Sequence, residues 1–232
     1  MNALSRRIAL VFLLLLLTRF GSAQIQTPVP VAEVTFHFER PGLPVPKFTL
    51  TVDESGRARY EADEVIIAAR VATEAELTPA HHIDRTVTLS RATTQKIFAN
   101  ARALDLFNIV CASKAKNIAD TGTKTLRYSQ EFLHGSCTYN YSENKGVVLL
   151  TDLFVGIART LDVGRKLDFQ HRFDRLGLDS TMASLSEEVD AGRAVEVGVI
   201  APTLRSLAED SDVLQRVRQR AARLLQVAQS PS

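Results

Sequence analysis

Tryptophan is absent, and aromatic residues together make only 6% of the chain. This argues against a sugar-binding or base-stacking surface built on exposed rings. An excess of charge of either sign is lacking too, since 28 Lys and Arg stand against 26 Asp and Glu in 232 residues. Such a balance excludes a polybasic nucleic-acid arm and an acidic tail. With 45% hydrophobic residues the composition is that of an ordinary globular chain, outside the range that leaves a polypeptide disordered. The length accommodates one domain, or one domain and a small appendage.

Long apolar runs are missing except at the very start. Residues 1–23 read as a secretory signal peptide: Arg6 and Arg7 open it, an apolar run from Ile8 to Leu17 follows, and small Gly21 and Ala23 stand before Gln24. The run is short for a bilayer span, so an N-terminal anchor is the competing reading. Ser5-Arg6-Arg7 resembles a twin-arginine signal, but the leucine-rich core fits the general secretory route better. No Cys marks a lipidation site at the cleavage point. The expected location is extracytoplasmic, periplasmic or secreted, with a mature chain that does not span the membrane. Arg6, Arg7 and Arg19 leave with the leader and no acid does, so 25 basic residues then face 26 acidic ones. A near-neutral mature chain gives no compositional hint of a nucleic-acid or membrane-surface partner.

Cysteine is scarce, with only Cys111 and Cys137. Outside the cytoplasm a disulfide between them is the default expectation, with two free buried thiols as the alternative. A thiol–imidazole pair of Cys111 with His134 has less support, because no Asn or Asp constellation accompanies it.

Residues 24–33, with Pro28 and Pro30, read as a flexible entry segment. From 34 to 165 the patterning predicts an α+β domain. Val34-Thr35-Phe36-His37-Phe38 alternates as a strand, and Lys47 to Val52 returns as a second. A turn at Asp53-Glu54-Ser55-Gly56 leads into a hairpin partner from Arg57 to Tyr60. Val65 to Ala69 is ambiguous between strand and helix, and Ile83 to Leu89 alternates again. Ser90 then caps a helix carrying Ile97, Phe98, Ala101 and Leu104. Phe107 to Val110 is β-prone. Thr123 to Gln130 and Ser136 to Ser142 form a second hairpin around Phe132-Leu133-His134-Gly135, and Cys137 faces inward there. Beyond Gly146 a strong helix repeats Val147, Leu150, Phe154, Ile157 and Leu161. The predicted fold is therefore an antiparallel sheet of hairpins packed by two helices.

From 166 to 229 the pattern becomes helical, an appendage built on Phe169, Phe173 and Leu176, then Met182, Leu185 and Val189. Pro202 opens a helix with Leu204 and Leu207. Ser211 or Asp212 caps a last helix with Val213, Val217, Leu224 and Leu225.

Chemistry-bearing constellations are few. Asp120-Thr121-Gly122 matches the tripeptide signature of aspartic proteases, and a tight turn entering the next strand explains the same letters. His81, His82 and Asp84 offer ligand types for a metal site, but adjacent residues of a strand point to opposite faces. No Gly-x-Ser-x-Gly elbow and no glycine-rich phosphate loop occurs, so no cofactor is expected. Arg216, Arg220 and Arg223 make a basic helical stripe with acids nearby in sequence, which reads as a solvated, partly paired face.

The order strand, Asp53 to Gly56 hairpin, Ile83 to Leu89 strand, helix ending in Leu104-Asp105-Leu106-Phe107, second hairpin and closing helix resembles small exported bacterial domains of unknown function. This resemblance covers residues 34 to 162, and implies architecture without an assigned activity. Residues 201 to 225 resemble a single HEAT-type helical hairpin. The expected function is a non-enzymatic binding or interaction module whose partner is another envelope or secreted protein. The alternative is an extracytoplasmic hydrolase using Asp120 or a His81, His82 and Asp84 metal site.

Overall fold

The computed structural model describes residues 31–65 and 81–229. The expected leader lies outside these residues, as do most of the entry segment and the stretch 66–80. Of the entry segment, Ala32 is fully buried and Glu33 already belongs to the first strand. The strand therefore starts earlier than its alternation alone indicated.

The fold is α+β. Six strands, β1 (Glu33–Glu39), β2 (Lys47–Asp53), β3 (Arg57–Glu64), β4 (His81–Thr88), β5 (Thr123–Gln130) and β6 (Leu133–Tyr139), form one sheet in the order β4-β3-β2-β1-β5-β6. Every pairing is antiparallel. Period-two patterning sends Val34, Phe36, Leu50, Val52, Tyr60 and Leu126 to one face, where all are at most 1% exposed. On that face pack the helices α1 (Arg91–Ala103) and α2 (Lys145–Phe173), through Ile97, Phe98, Leu150, Phe154 and Ile157. Phe36 stacks on Phe154 at 5.2 Å and meets Phe48 at 5.8 Å, so an aromatic group sits where β1 crosses under α2. The other face is polar. Thr35 bonds Thr51 at 3.2 Å, His37 Nδ1 lies 2.9 Å from Thr49 Oγ1, and Thr125 bonds Thr138 at 3.0 Å.

Helix α2 has 29 residues and serves two cores. Val147 to Leu161 belong to the sheet-side cluster, whereas Leu167 joins a second cluster formed with α3 (Leu178–Asp190), α4 (Ala201–Glu209) and α5 (Gln215–Gln229). The change of pattern near residue 166 thus falls inside one continuous helix. Pro202 lies in the first turn of α4, and Leu204, Leu207, Val217 and Leu224 are buried.

Three local expectations are corrected. Phe107 to Val110 is not a strand, because Asp105–Phe107 forms a 3-10 turn with Leu106 at φ +53°. The second hairpin turns at Glu131 and Phe132 only, since Gln130 pairs with Leu133, so Leu133 to Gly135 belong to β6. Phe169, Phe173 and Leu176 do not face the core and are 59%, 73% and 95% exposed, respectively. Leu167 and Gln170 supply the buried positions of this stretch instead.

Candidate binding groove

The N-terminal half of α2 lines a groove. One part, about 520 Å³, has an apolar floor from Val148, Leu149, Leu153 and Val195, with Lys96 and Lys145 opposing Glu143 and Asp152 around it. A second part, about 190 Å³, adjoins it through Tyr141, Ser142, Val148 and Asp152, and reaches Thr121, Lys124 and Tyr139. Asn144 caps the helix beside the groove, its Oδ1 accepting Gly146 N–H at 2.9 Å and Val147 N–H at 3.3 Å. Tyr141 and Val148 stay 46% and 39% exposed, so apolar surface is presented rather than filled in.

The inner end of the groove is built on Lys124. Strand register turns this lysine inward beside Leu126 and Tyr128. Only 8% exposed, it donates from Nζ to Thr121 O at 3.1 Å, Gly122 O at 3.0 Å and Asn140 O at 2.8 Å, and bonds Thr121 Oγ1 at 2.9 Å. Its ammonium also lies 5.7 Å from the Phe38 ring centroid. Burial pulls its pKa below the usual lysine value, against the opposing pull of Asp120. Nearby, the Tyr139 hydroxyl bonds Thr151 Oγ1 at 2.5 Å, and burial pushes the phenol up to about 12. These groups fix the groove wall, while Lys96, Glu143, Lys145 and Asp152 line the groove without an ion pair among the described residues.

Asp120 borders this region in a turn. Its Oδ1 accepts Gly122 N–H at 2.9 Å, and Gly122 takes φ +91°. A Cβ there would lie 2.8 Å from Arg40 Cβ and 2.9 Å from Glu39 O, so glycine is required both by conformation and by space. The histidines lie elsewhere. His81 and His82 are exposed on β4, an edge strand at the far side of the sheet from β6. His82 Nδ1 pairs with Asp63 at 3.0 Å, while Asp84 pairs with Arg59 at 2.8 Å, which holds its carboxyl below the usual range. The structure therefore brings neither His81 with His82 nor either of them with Asp120. Among the described residues no group of three His, Cys, Asp or Glu side chains is arranged to hold a metal ion.

Cys111 and Cys137 stand at disulfide distance, with Cα atoms 5.8 Å apart. Closure of this pair would tie the segment after Phe107 to the edge strand β6. His134, by contrast, has Ser129 as neighbour at 3.4 Å. The arginine stripe is paired: Arg216 and Arg220 reach Asp179 at 2.8 and 2.6 Å, and Arg223 reaches Asp190 at 2.8 Å.

No protein-family model matches the chain, and no curated protein matches its sequence. Function must then be argued from geometry.

Two further clusters have no local signature in the sequence. Glu196, at φ +57°, accepts Ser90 N–H at 2.9 Å and Ser90 Oγ–H at 2.6 Å, and also bonds Thr93. A carboxylate from the helical part thus sits at the positive end of α1. In the second cluster, Tyr60 donates to Asp162 at 2.9 Å and Arg165 to Glu64 at 2.7 Å. Burial pushes the Asp162 carboxyl up to about 6, opposed by the Tyr60 bond and by Arg165. Both depend on contacts between residues about a hundred positions apart, which no local pattern encodes. Lys124 was more accessible, as a lysine at an inward position of an alternating strand requires an oxygen cage.

Proposed function

We propose that the chain works outside the cytoplasm as a binding module, holding a segment of another envelope or secreted protein along α2. The observation that carries this reading is the groove at Tyr141, Val148 and Asp152. An apolar floor with both cationic and anionic groups around it suits a polypeptide segment of mixed character. The export expectation rests on residues 1–23 and is supported by the Cys111 and Cys137 pair at bridging distance, a feature suited to an oxidising compartment. A hydrolase centred on Asp120 has less support, since that carboxylate is engaged by the Gly122 N–H in its own turn.

The test is affinity capture with the exported chain from its own envelope or medium, followed by mass spectrometry. Native chain is compared with Tyr141→Ala/Val148→Glu, two exposed positions whose change should leave folding intact. A reproducible partner retained by the native chain and lost by the variant is expected. Recovery of no reproducible partner, or equal recovery by both proteins, would overturn the proposal.

A further inference from the structure

The C-terminal end of α2 presents a second surface, distinct from the groove. Phe169 and Phe173 stand one turn apart with ring centroids 5.2 Å apart, and Leu176 follows in the 3-10 turn Arg175–Gly177. The three are 59%, 73% and 95% exposed, respectively. Single exposed apolar residues are ordinary, but three large ones within eight positions are a feature that marks contact with something apolar.

Charge identifies what that is. Lys166 lies three residues before Phe169 and Arg172 three residues after it, both exposed, and neither is paired with a described carboxylate. The carboxylates nearby are already engaged. Asp168 faces Arg85 at 3.9 Å, and Asp210 and Asp212 take Arg175 at 3.4 and 3.8 Å, while Asp174 keeps its charge and is turned back on the chain by Gly177 N–H at 3.3 Å. An apolar tip flanked by unpaired cations complements the acyl boundary and headgroup layer of an anionic bilayer. A second copy of the tip would set Lys166 and Arg172 near their own kind, which disfavours self-pairing.

We propose that Phe169, Phe173 and Leu176 insert into the surface of a membrane containing anionic lipid, with Lys166 and Arg172 contacting the headgroups. Attachment is peripheral, since no described helix is long and apolar enough to cross a membrane. A near-neutral overall charge does not oppose this, because headgroups respond only to charges within about a Debye length. The proposal is independent of the groove, which occupies the other half of α2.

The experiment is co-sedimentation of the exported chain with vesicles of phosphatidylcholine alone, or of phosphatidylcholine with phosphatidylglycerol. Two variants are compared, Phe173→Ser/Leu176→Ser and Lys166→Glu/Arg172→Glu, at exposed positions and with the same N-terminus as the native chain. Preferential binding of the native chain to anionic vesicles is expected, weakened at least about tenfold in each variant and by added salt. Circular dichroism verifies that the variants are folded. The groove variant Tyr141→Ala/Val148→Glu should bind vesicles like the native chain, which separates failure here from failure of the partner-binding reading. Equal binding to both vesicle types, or variants that bind like the native chain, would overturn the proposal. So would absence of binding together with a concentration-dependent dimer that Phe173→Ser/Leu176→Ser abolishes, which would assign the tip to a second copy.

Discussion

Asp162 sits where β3 passes beneath α2, and its ionisation has a definite sign. Burial raises its carboxyl from an ordinary value of 3.8 to about 6 despite the Tyr60 hydrogen bond and Arg165. The folded chain therefore binds more protons than the unfolded chain between about pH 4 and 6, so this group's contribution to stability falls as pH rises through that window. The loss is about 2 to 3 kcal/mol. Asp162→Asn is expected to flatten that part of the stability-versus-pH curve and to be the more stable protein at pH 7.5. Urea titrations of both proteins across that range measure it, and an unchanged slope would sink the assignment. Asp210 has the opposite sign: His171 at 2.8 Å holds its carboxyl low, so its contribution is present at neutral pH and lost on acidification. Neither effect could be read from the sequence. Asp162 is one more acid in a helical pattern until Tyr60, which precedes it by 102 positions, is brought against it.

At the scale of elements, alternation and capping were the legible signals. Ser90 reads as an N-cap from its place before the periodic run, and its Oγ accepts Thr93 N–H at 3.2 Å. Asp53 to Gly56 turns as the residues demand, with Gly56 at φ +89°. Failures came where apolar letters carry no period. Phe107 to Val110 contains β-prone residues, but the chain there is held against β6 by long-range contact: a Cβ on Gly135 would lie 1.9 Å from Leu106 O. The same strap carries Cys111. If it is closed oxidatively, both thiols resist alkylation before reduction, and reduction lowers the free energy of unfolding by about 3 kcal/mol for a sequence separation of 26. Mass measurement after alkylation with and without reductant decides the first point and denaturant titration the second. Ready labelling of both thiols in the unreduced protein would contradict the bridge.

Across the whole molecule, the two cores are stitched together on α2 and by contacts that skip over it. Thr160 donates to Val195 O at 2.7 Å, Ile200 fills the space left by Gly164, and Glu196 crosses to Ser90. A Cβ on Gly164 would lie 2.3 Å from Ile200 Cγ2, so the helix and the turn Val197–Ile200 approach as closely as glycine permits. A fragment ending at residue 165 would lack these partners and leave Thr160, Gly164 and the start of α1 uncovered. It is expected to show reduced near-ultraviolet dichroism and no cooperative melt, whereas the full chain melts in one transition. A fragment that melts cooperatively near the full chain's temperature would refute that dependence. Composition and periodicity conveyed the α+β class, the hairpins and the helical C-terminal part, because each is a local property. They conveyed neither the groove nor the aromatic tip, because both are set by which residues tertiary packing leaves uncovered.

The strand order carries a consequence for how the chain comes together in time. β1, the first strand described, lies inside the sheet between β2 and β5. Its pairing with β2 is available almost at once, but the opposite row of backbone N–H and C=O groups has no partner until Thr123–Gln130 has followed. A chain delivered from its N-terminus thus begins with an open strand edge at the centre of its future sheet. Residues 81 to 103, which extend the sheet outward and lay α1 on it, arrive during that wait. The slow step of folding is expected to be the closure of β5 onto β1, and the interval before it is when the chain is most open to pairing with another molecule.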